Sequence, residues 1–283
     1  MKKINKIFAF LLLMGIAIGA YRVSGLHIFE SLQIMLKSTS QNHFKRINPS
    51  CFINEALNPP LEKTHIRLLS WNIHKEADKG WQQDLTRFAR NQDFVLLQEA
   101  TPQQNLPSFS TALFVSSFAY QGTAYGVKTF SKTIPKRYCG ISQPEPWIHI
   151  PKVANAAQYS LKNGGELWVV NVHLINFEWQ PEAYRTQLKK IFSLLDNPKS
   201  AVILAGDFNA WNKERKAILN EFIQEFGLNE VSFSQDERVR FLGNPLDYVF
   251  VRGMKMLSSK TERVVSSDHS PIWGEFEMDI QKE

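Results

Sequence analysis

Residues Ala201 to Asn209 read A-V-I-L-A-G-D-F-N, an apolar run broken by Gly206 and followed by Asp207 and Asn209. Alternation along an extended chain puts Asp207 and Asn209 on one face and Phe208 on the other. A carboxylate and an amide presented beyond a strand's carboxyl end can orient water, a metal ion or a phosphate oxygen. The same pair can instead close a plain Asx-turn, with the carboxylate only capping the strand. Polar groupings of this kind recur along the chain: Trp71-Asn72-Ile73, Gln98-Glu99, Asn171-Val172-His173-Leu174, Leu246-Asp247-Tyr248 and Ser267-Asp268-His269. Taken singly, most of them read as turns, helix caps or satisfied interior groups. Together they supply carboxylates, amide oxygens and imidazoles, the groups that hold a hard cation and move protons at water or phosphate.

The elements that must position these groups alternate between strand-like and helical patterns. Strands are expected at Ile66–Trp71, Phe94–Leu97, Leu167–Val172, Val202–Ala205, Leu246–Val251 and Pro271–Phe276. Helices are expected over Trp81–Arg90, over Pro181–Leu195 with proline in its first turn, and over Lys213–Phe226, stopped by Gly227. Most polar groups of chemical interest stand where one of these strands ends. The series predicts one α/β domain over residues 64–280, a size that a single core supports.

The formal charge of +6 belongs mainly to the amino-terminal part of the chain. Seven of the 33 basic residues and one of the 27 acidic residues lie within residues 1–50, which leaves 26 of each beyond them. Net charge therefore gives no argument for a nucleic-acid partner. Lys2, Lys3 and Lys6 precede an uncharged apolar run, Ile7 to Ala20, then Tyr21 and Arg22. This is the pattern of a secretory signal, with Ile18-Gly19-Ala20 as a cleavage region, or of an uncleaved anchor, with a buried amino-terminal helix as the alternative. Residues 1–22 are assigned that role and residues 23–63 are read as a polar, proline-containing tether. The domain is thus expected outside the cytoplasm, exported or anchored at the inner membrane. Cys51 and Cys139, the two cysteines, are either a disulfide of an exported protein or two buried thiols. Two cysteines exclude a thiol-rich metal site.

In order and identity the six groupings resemble the endonuclease/exonuclease/phosphatase superfamily, the DNase I-like phosphoesterases. The resemblance runs from residue 66 to 276, through W-N-I, Q-E, N-x-H, G-D-F-N, L-D-Y-V-F and S-D-H. Pro59-Pro60 and the stretch Gly206 to Trp211 look most like the YafD-like bacterial branch. The resemblance implies a four-layer α/β sandwich, two packed mixed β-sheets flanked by helices. It implies a Mg²⁺-dependent hydrolase, with Mn²⁺ as a substitute, that attacks a phosphoester with water. Asn72, Glu99 and Asp268 would be the metal ligands. His173, Asp207, Asn209, Asp247 and His269 would be catalytic, with Asp247 orienting His269 and either Asp207 or His269 acting as base. Oxygen ligands favour magnesium over zinc.

Substrate recognition is less defined. Tyr125 to Ser131 resembles the superfamily's glycine-containing strand, and Tyr125 and Tyr159 are the candidates for a tyrosine on phosphate. Lys152 is read as solvated, with contact to phosphate as the alternative. A nuclease-type phosphodiesterase is the first expectation, and a lipid or sugar-phosphate phosphoesterase at a membrane surface the alternative. A catalytically silent binding domain on the same fold is the third reading. The partner in either enzyme reading is a phosphoester, nucleic acid or phospholipid, bound by a monomeric domain.

Overall fold

The computed structural model describes residues 25–39, 43–56, 59–195 and 197–279. In chain order its strands are β1 (Leu26–Ser38), β2 (Phe44–Asn48), β3 (Cys51–Asn54), β4 (His65–Asn72), β5 (Phe94–Ala100), β6 (Thr111–Tyr120), β7 (Thr123–Ser131), β8 (Arg137–Pro144) and β9 (Pro151–Ser160). They continue with β10 (Glu166–His173), β11 (Ala201–Asp207), β12 (Asn229–Glu230), β13 (Arg240–Phe241), β14 (Asn244–Pro245), β15 (Asp247–Arg252), β16 (Met254–Thr261) and β17 (Ile272–Met278). The α-helices are α1 (Trp81–Phe88), α2 (Glu182–Phe192) and α3 (Lys213–Glu225).

Two mixed sheets carry the fold. The first runs β1-β6-β7-β5-β4-β17-β16 and the second β12-β15-β11-β10-β9-β8-β3-β2. Alternation gives each central strand two apolar faces. In β11, Ala201, Ile203 and Ala205 face the other sheet, while Val202 and Leu204 face the helices, and all are buried. The inner layer joins Ile66, Leu68, Phe94 and Leu96 of the first sheet to Val169, Ile203 and Val249 of the second. Outside the second sheet, α2 and α3 bury Leu188, Ile191, Leu219 and Phe222. Outside the first, α1 buries Leu85 and Phe88 against Trp71 and Val95. Helix, sheet, sheet and helix make the four layers of the DNase I-like fold.

Local chemistry explains the helix ends. The Asn212 side chain accepts the Arg215 N–H at 2.8 Å to start α3, and Gly227, at φ 62°, follows its end. The Glu178 carboxylate accepts the Ala183 and Tyr184 N–H groups at 2.6 and 3.0 Å at the start of α2.

Within the segment expected as a tether, residues 23–63, β1 instead joins the first sheet and β2 and β3 the second. Strand β1 pairs antiparallel with β6 from Leu26↔Tyr120 to Ser38↔Thr111. Leu32, Ile34 and Leu36 alternate with Gln33, Met35 and Lys37, and the first three pack on the inter-sheet core. That period-two alternation, set in polar and basic surroundings, is what makes the segment a strand. Strand β3 pairs with β8, where Cys51 stands opposite Cys139 and forms a disulfide with a Cα separation of 4.1 Å. The signal or anchor expected at residues 1–22 lies outside the described residues. Among the described residues no helix is long and apolar enough to cross a membrane.

Candidate active site

Each sheet contributes half of one constellation. Asn72 ends β4, Glu99 stands near the end of β5, and Asp268 and His269 lie on the loop leading into β17. From the second sheet, His173 and Asp207 end the parallel strands β10 and β11 as register partners, and Asp247 begins β15 opposite Asp207. Asn72, Glu99, His173, Asp207, Asn209, Asp268 and His269 all line one cavity of about 520 Å³. Asp247 stands behind His269, with its Oδ2 2.7 Å from Nδ1. Gly206 makes the second half possible. It has φ 139°, and a Cβ there would sit 2.1 Å from the Val172 carbonyl oxygen.

The halves are held in register by buried amides between the sheets. Gln98 Nε2 donates to Asn171 Oδ1 at 2.7 Å, and Asn171 Nδ2 donates to the Leu97 and Lys128 carbonyls, each at 3.1 Å. Thr129 Oγ1 donates to Asn155 Oδ1 at 2.8 Å. These polar groups, fully or almost fully buried in an otherwise apolar layer, find these partners only in one alignment of the sheets, with Gln98 Oε1 alone left unpartnered. Gln98 and Asn171 neighbour Glu99 and the His173 strand end, so the alignment also sets the spacing of the site. Sequence reading placed both in motifs without assigning this task. Trp71 and Ser267 act in the same way. The Trp71 indole donates to the His269 carbonyl at 3.0 Å, while Ser267 Oγ donates to the Asn72 carbonyl at 2.7 Å and accepts the His269 N–H at 3.1 Å.

The stretch at Asp207 is both an Asx-turn and part of the site. Asp207 Oδ1 accepts the Asn209 N–H at 3.1 Å, with Asn209 in the left-handed region at φ 48°. The turn commits one oxygen and leaves Oδ2 among Asn72 Nδ2 at 3.2 Å, His173 Nε2 at 3.4 Å and His269 Nε2 at 3.9 Å. Asn209 Nδ2 donates to the Leu174 carbonyl at 3.0 Å. Below it, the buried Arg215 guanidinium ties together the carbonyls of Ile175, Asn176 and Asn209.

Charges here are perturbed in opposite senses. Burial lifts the Asp207 carboxyl well above the ordinary aspartate range, against the pull of the His269 and Lys152 charges. Burial works against protonation of His269, yet Asp247 and then Asp207 and Asp268 hold the imidazole protonated well above its ordinary value. Burial and the neighbouring Lys152 and Lys75 charges drive His173 the other way, toward the neutral form. Groups with separated affinities for a proton, converging on one cavity, are the signature of acid–base chemistry.

Lys152 departs from expectation. It is not solvated: its Nζ lies 2.7 Å from His173 Nε2 and it lines the cavity. Neutral His173 can accept from Lys152, whose own hold on its proton is weakened by burial against the pull of the Glu99 and Asp207 carboxylates. Tyr125 reaches the cavity, whereas Tyr159 is buried between the sheets with its ring 5.2 Å from Phe94, out of reach of any phosphate. The reading of residues also passed over His74 and Lys75, directly after Trp71-Asn72-Ile73, although both line the cavity. His74, Lys75 and Glu76 all have left-handed backbone (φ 47°, 53° and 64°), as does Glu99 at 53°. Glu76 anchors this turn by accepting from Thr101 Oγ1 at 2.6 Å and from Gln104 Nε2. Such conformations concentrate where a site over-determines the backbone.

The donor set suits a hard divalent cation. Lys75 Nζ sits 2.5 Å from Glu99 Oε2, so a positive charge already rests on that carboxylate. Asn72 offers an amide oxygen that otherwise accepts only the local His74 N–H at 3.1 Å. Asp268 stands at the rim, 3.6 Å from His74 Nε2 and more than half exposed. Among the described residues no three His, Cys, Asp or Glu side chains converge as a metal nest. Two carboxylates and one amide would leave several positions on the ion to water, as magnesium prefers.

The chain matches the model of the Endonuclease/Exonuclease/phosphatase family over residues 69–269. It is 37% identical over 222 residues to a UPF0294 protein of Vibrio campbellii, covering 76% of this chain and 79% of that protein. Among solved structures, the endonuclease/exonuclease/phosphatase from Bacteroides vulgatus superposes with TM-score 0.61 at 18% identity, covering 76% of this chain and all of that one. The human Nocturnin catalytic domain superposes with TM-score 0.59 at 19% identity, covering 78% of this chain and 97% of that one. By its sequence match and by its fold, the chain belongs to the endonuclease/exonuclease/phosphatase family, within the YafD-like UPF0294 proteins of bacteria.

Proposed function

We propose that the protein is a divalent-metal-dependent phosphoesterase that hydrolyses a phosphodiester by water attack. The observation that carries this reading is the cluster of Asp207, His269 and Asp247, a proton-hungry carboxylate beside an imidazolium held charged by a second carboxylate. Asp207 Oδ2 accepts the proton of the attacking water, which Asn209 helps to orient. The water oxygen forms a bond to phosphorus as the bond from phosphorus to the leaving oxygen breaks, and the departing oxygen takes a proton from solvent. His269 and Lys152 donate to the phosphoryl oxygens as negative charge grows on them. Asn72, Glu99 and Asp268 would hold Mg²⁺ or Mn²⁺, which supplies charge neutralisation at the phosphoryl group.

The Cys51–Cys139 disulfide and the apolar run Ile7–Ala20 support a place outside the cytoplasm, where such a bond persists. The test is hydrolysis of bis(p-nitrophenyl) phosphate by the full chain with Mg²⁺ or Mn²⁺, and its loss on chelation. Hydrolysis that survives chelation, or that is unchanged in both Glu99→Ala and His269→Ala, refutes the reading.

A further inference from the structure

The cavity that holds the catalytic candidates also has an apolar and aromatic lining. Leu26, Phe118, Tyr120, Tyr125, Ile148 and Ile150 contribute it. A phosphate needs no apolar wall, so the wall fits a part of the substrate that is itself apolar. The apolar surface continues through the mouth to the outside. Trp147, Ile148, Phe177 and Trp179 are exposed, Trp179 to 77% and Trp147 to 54%. The two indole rings meet edge to face at 5.7 Å. They stand on clasped rather than loose segments: the fully buried Glu145 carboxylate accepts the Asn176 and Phe177 N–H groups, each at 2.8 Å. Indoles fixed outward beside an apolar-walled cavity suit the boundary between water and bilayer.

The path of the chain points the same way. Leu26 is at once a wall residue and the first residue of β1, six residues after the apolar run Ile7–Ala20 ends. Six extended residues span at most about 22 Å. A bilayer that takes up Ile7–Ala20 is therefore held within about 22 Å of the cavity wall. A tether reaching to residue 63 would have let the domain turn freely, and β1 removes that slack. Residues 51–283 carry 26 basic and 26 acidic residues, which gives no charge attraction to a polyanion.

We propose, resting on the phosphoesterase reading above, that the substrate is a membrane phospholipid. Its phosphodiester meets the polar floor, its hydrocarbon lies along the Leu26, Phe118, Tyr120 and Ile148 wall, and Trp147 and Trp179 seat the mouth on the bilayer. The reaction exchanges one phosphorus–oxygen ester bond for the bond to the water oxygen, giving an alcohol and a phosphomonoester.

The test uses the full chain reconstituted in vesicles of phosphatidylglycerol and phosphatidylethanolamine with Mg²⁺. Three substrates are compared at equal phosphate: the vesicle lipids, DNA (single- and double-stranded), and bis(p-nitrophenyl) phosphate. The lipids are expected to turn over at least tenfold faster than DNA. Trp147→Ala with Trp179→Ala is expected to lower the ratio of lipid to soluble-diester turnover at least tenfold. Independently of turnover, brominated lipids are expected to quench tryptophan fluorescence, and less so when Trp147 and Trp179 are both Phe. DNA cleaved faster than lipid overturns the substrate assignment. Quenching undiminished in the double Phe variant overturns the docking. Failure to hydrolyse all three substrates counts against the phosphoesterase reading, and the quenching still decides the docking.

Discussion

The floor of the cavity and its apolar wall are built by different means. Floor residues sit at the ends of central strands, where Gly206 lets two backbones touch and the Gln98–Asn171 amides lock one sheet to the other. Nearly all of them are buried and bonded on more than one side. Wall residues come from β1 at a sheet edge, from the adjoining β6 and β7, and from the 148–150 segment, and Ile148 is exposed. The floor can thus tolerate almost no change without losing its geometry, while the wall can change side chains on a fixed backbone. On the proposed function, the chemistry of the reaction belongs to the first region and the choice of substrate to the second.

Substitutions can break that division or sharpen it. The largest effects are expected on the floor: Glu99→Ala and His269→Ala each lower kcat on a soluble diester by about 10³-fold, with unfolding temperature close to that of the parent. Next, Asp247→Asn takes the charge partner from His269 and lowers kcat by about 10²-fold with KM little changed, measured by steady-state kinetics. Asn171→Leu removes the closest acceptor of Gln98 Nε2 and the amide donor to the Leu97 and Lys128 carbonyls, and destabilises the fold by about 2 kcal/mol, read from the urea midpoint. A stability equal to the parent's would mean that the amides do not set the spacing of the two sheets. On the wall, Ile148→Ala raises KM for a long-chain substrate by about fivefold while leaving kcat and stability nearly intact. A fall in kcat as large as that of Asp247→Asn would erase the distinction between the regions.

The smallest effect is in pH dependence, through the clasp beneath the aromatic rim. Burial raises the Glu145 carboxyl above its ordinary value of 4.5, against the Asn176 and Phe177 N–H bonds, so in the window between that value and the folded one the folded chain binds more protons there than the unfolded chain. That contribution to stability is fully present below 4.5 and is lost as pH rises through the folded value. Glu145→Gln is expected to flatten the decline in urea midpoint with pH above 4.5. An unaltered slope would show that Glu145 is ionised throughout.

The two regions were also unequally legible in the sequence. Asn72, Glu99, His173, Asp207 and His269 are polar residues at the ends of apolar runs, a contrast visible without coordinates. Leu26, Phe118 and Ile150 are apolar residues among apolar residues, and only the tertiary arrangement shows that they face a cavity. Residues 26–54 were missed for a related reason. The alternation of Leu32, Ile34 and Leu36 is there, but lysines and polar residues around it read as a tether until β6 supplies a partner. Lys152 looked solvated because nothing local marks a lysine whose partner, His173, stands on the neighbouring strand.

The division of the site between the two sheets has one more consequence. Asn72, Glu99, Asp268 and His269 belong to one layer, while His173, Asp207, Asn209 and Asp247 belong to the other. On the proposed function, a fragment that retained either layer would carry the candidate cation ligands without the carboxylate proposed to activate water, or the reverse. Turnover would thus be an all-or-none reporter of the closed sandwich, with a truncated or half-assembled chain expected to be silent instead of slow.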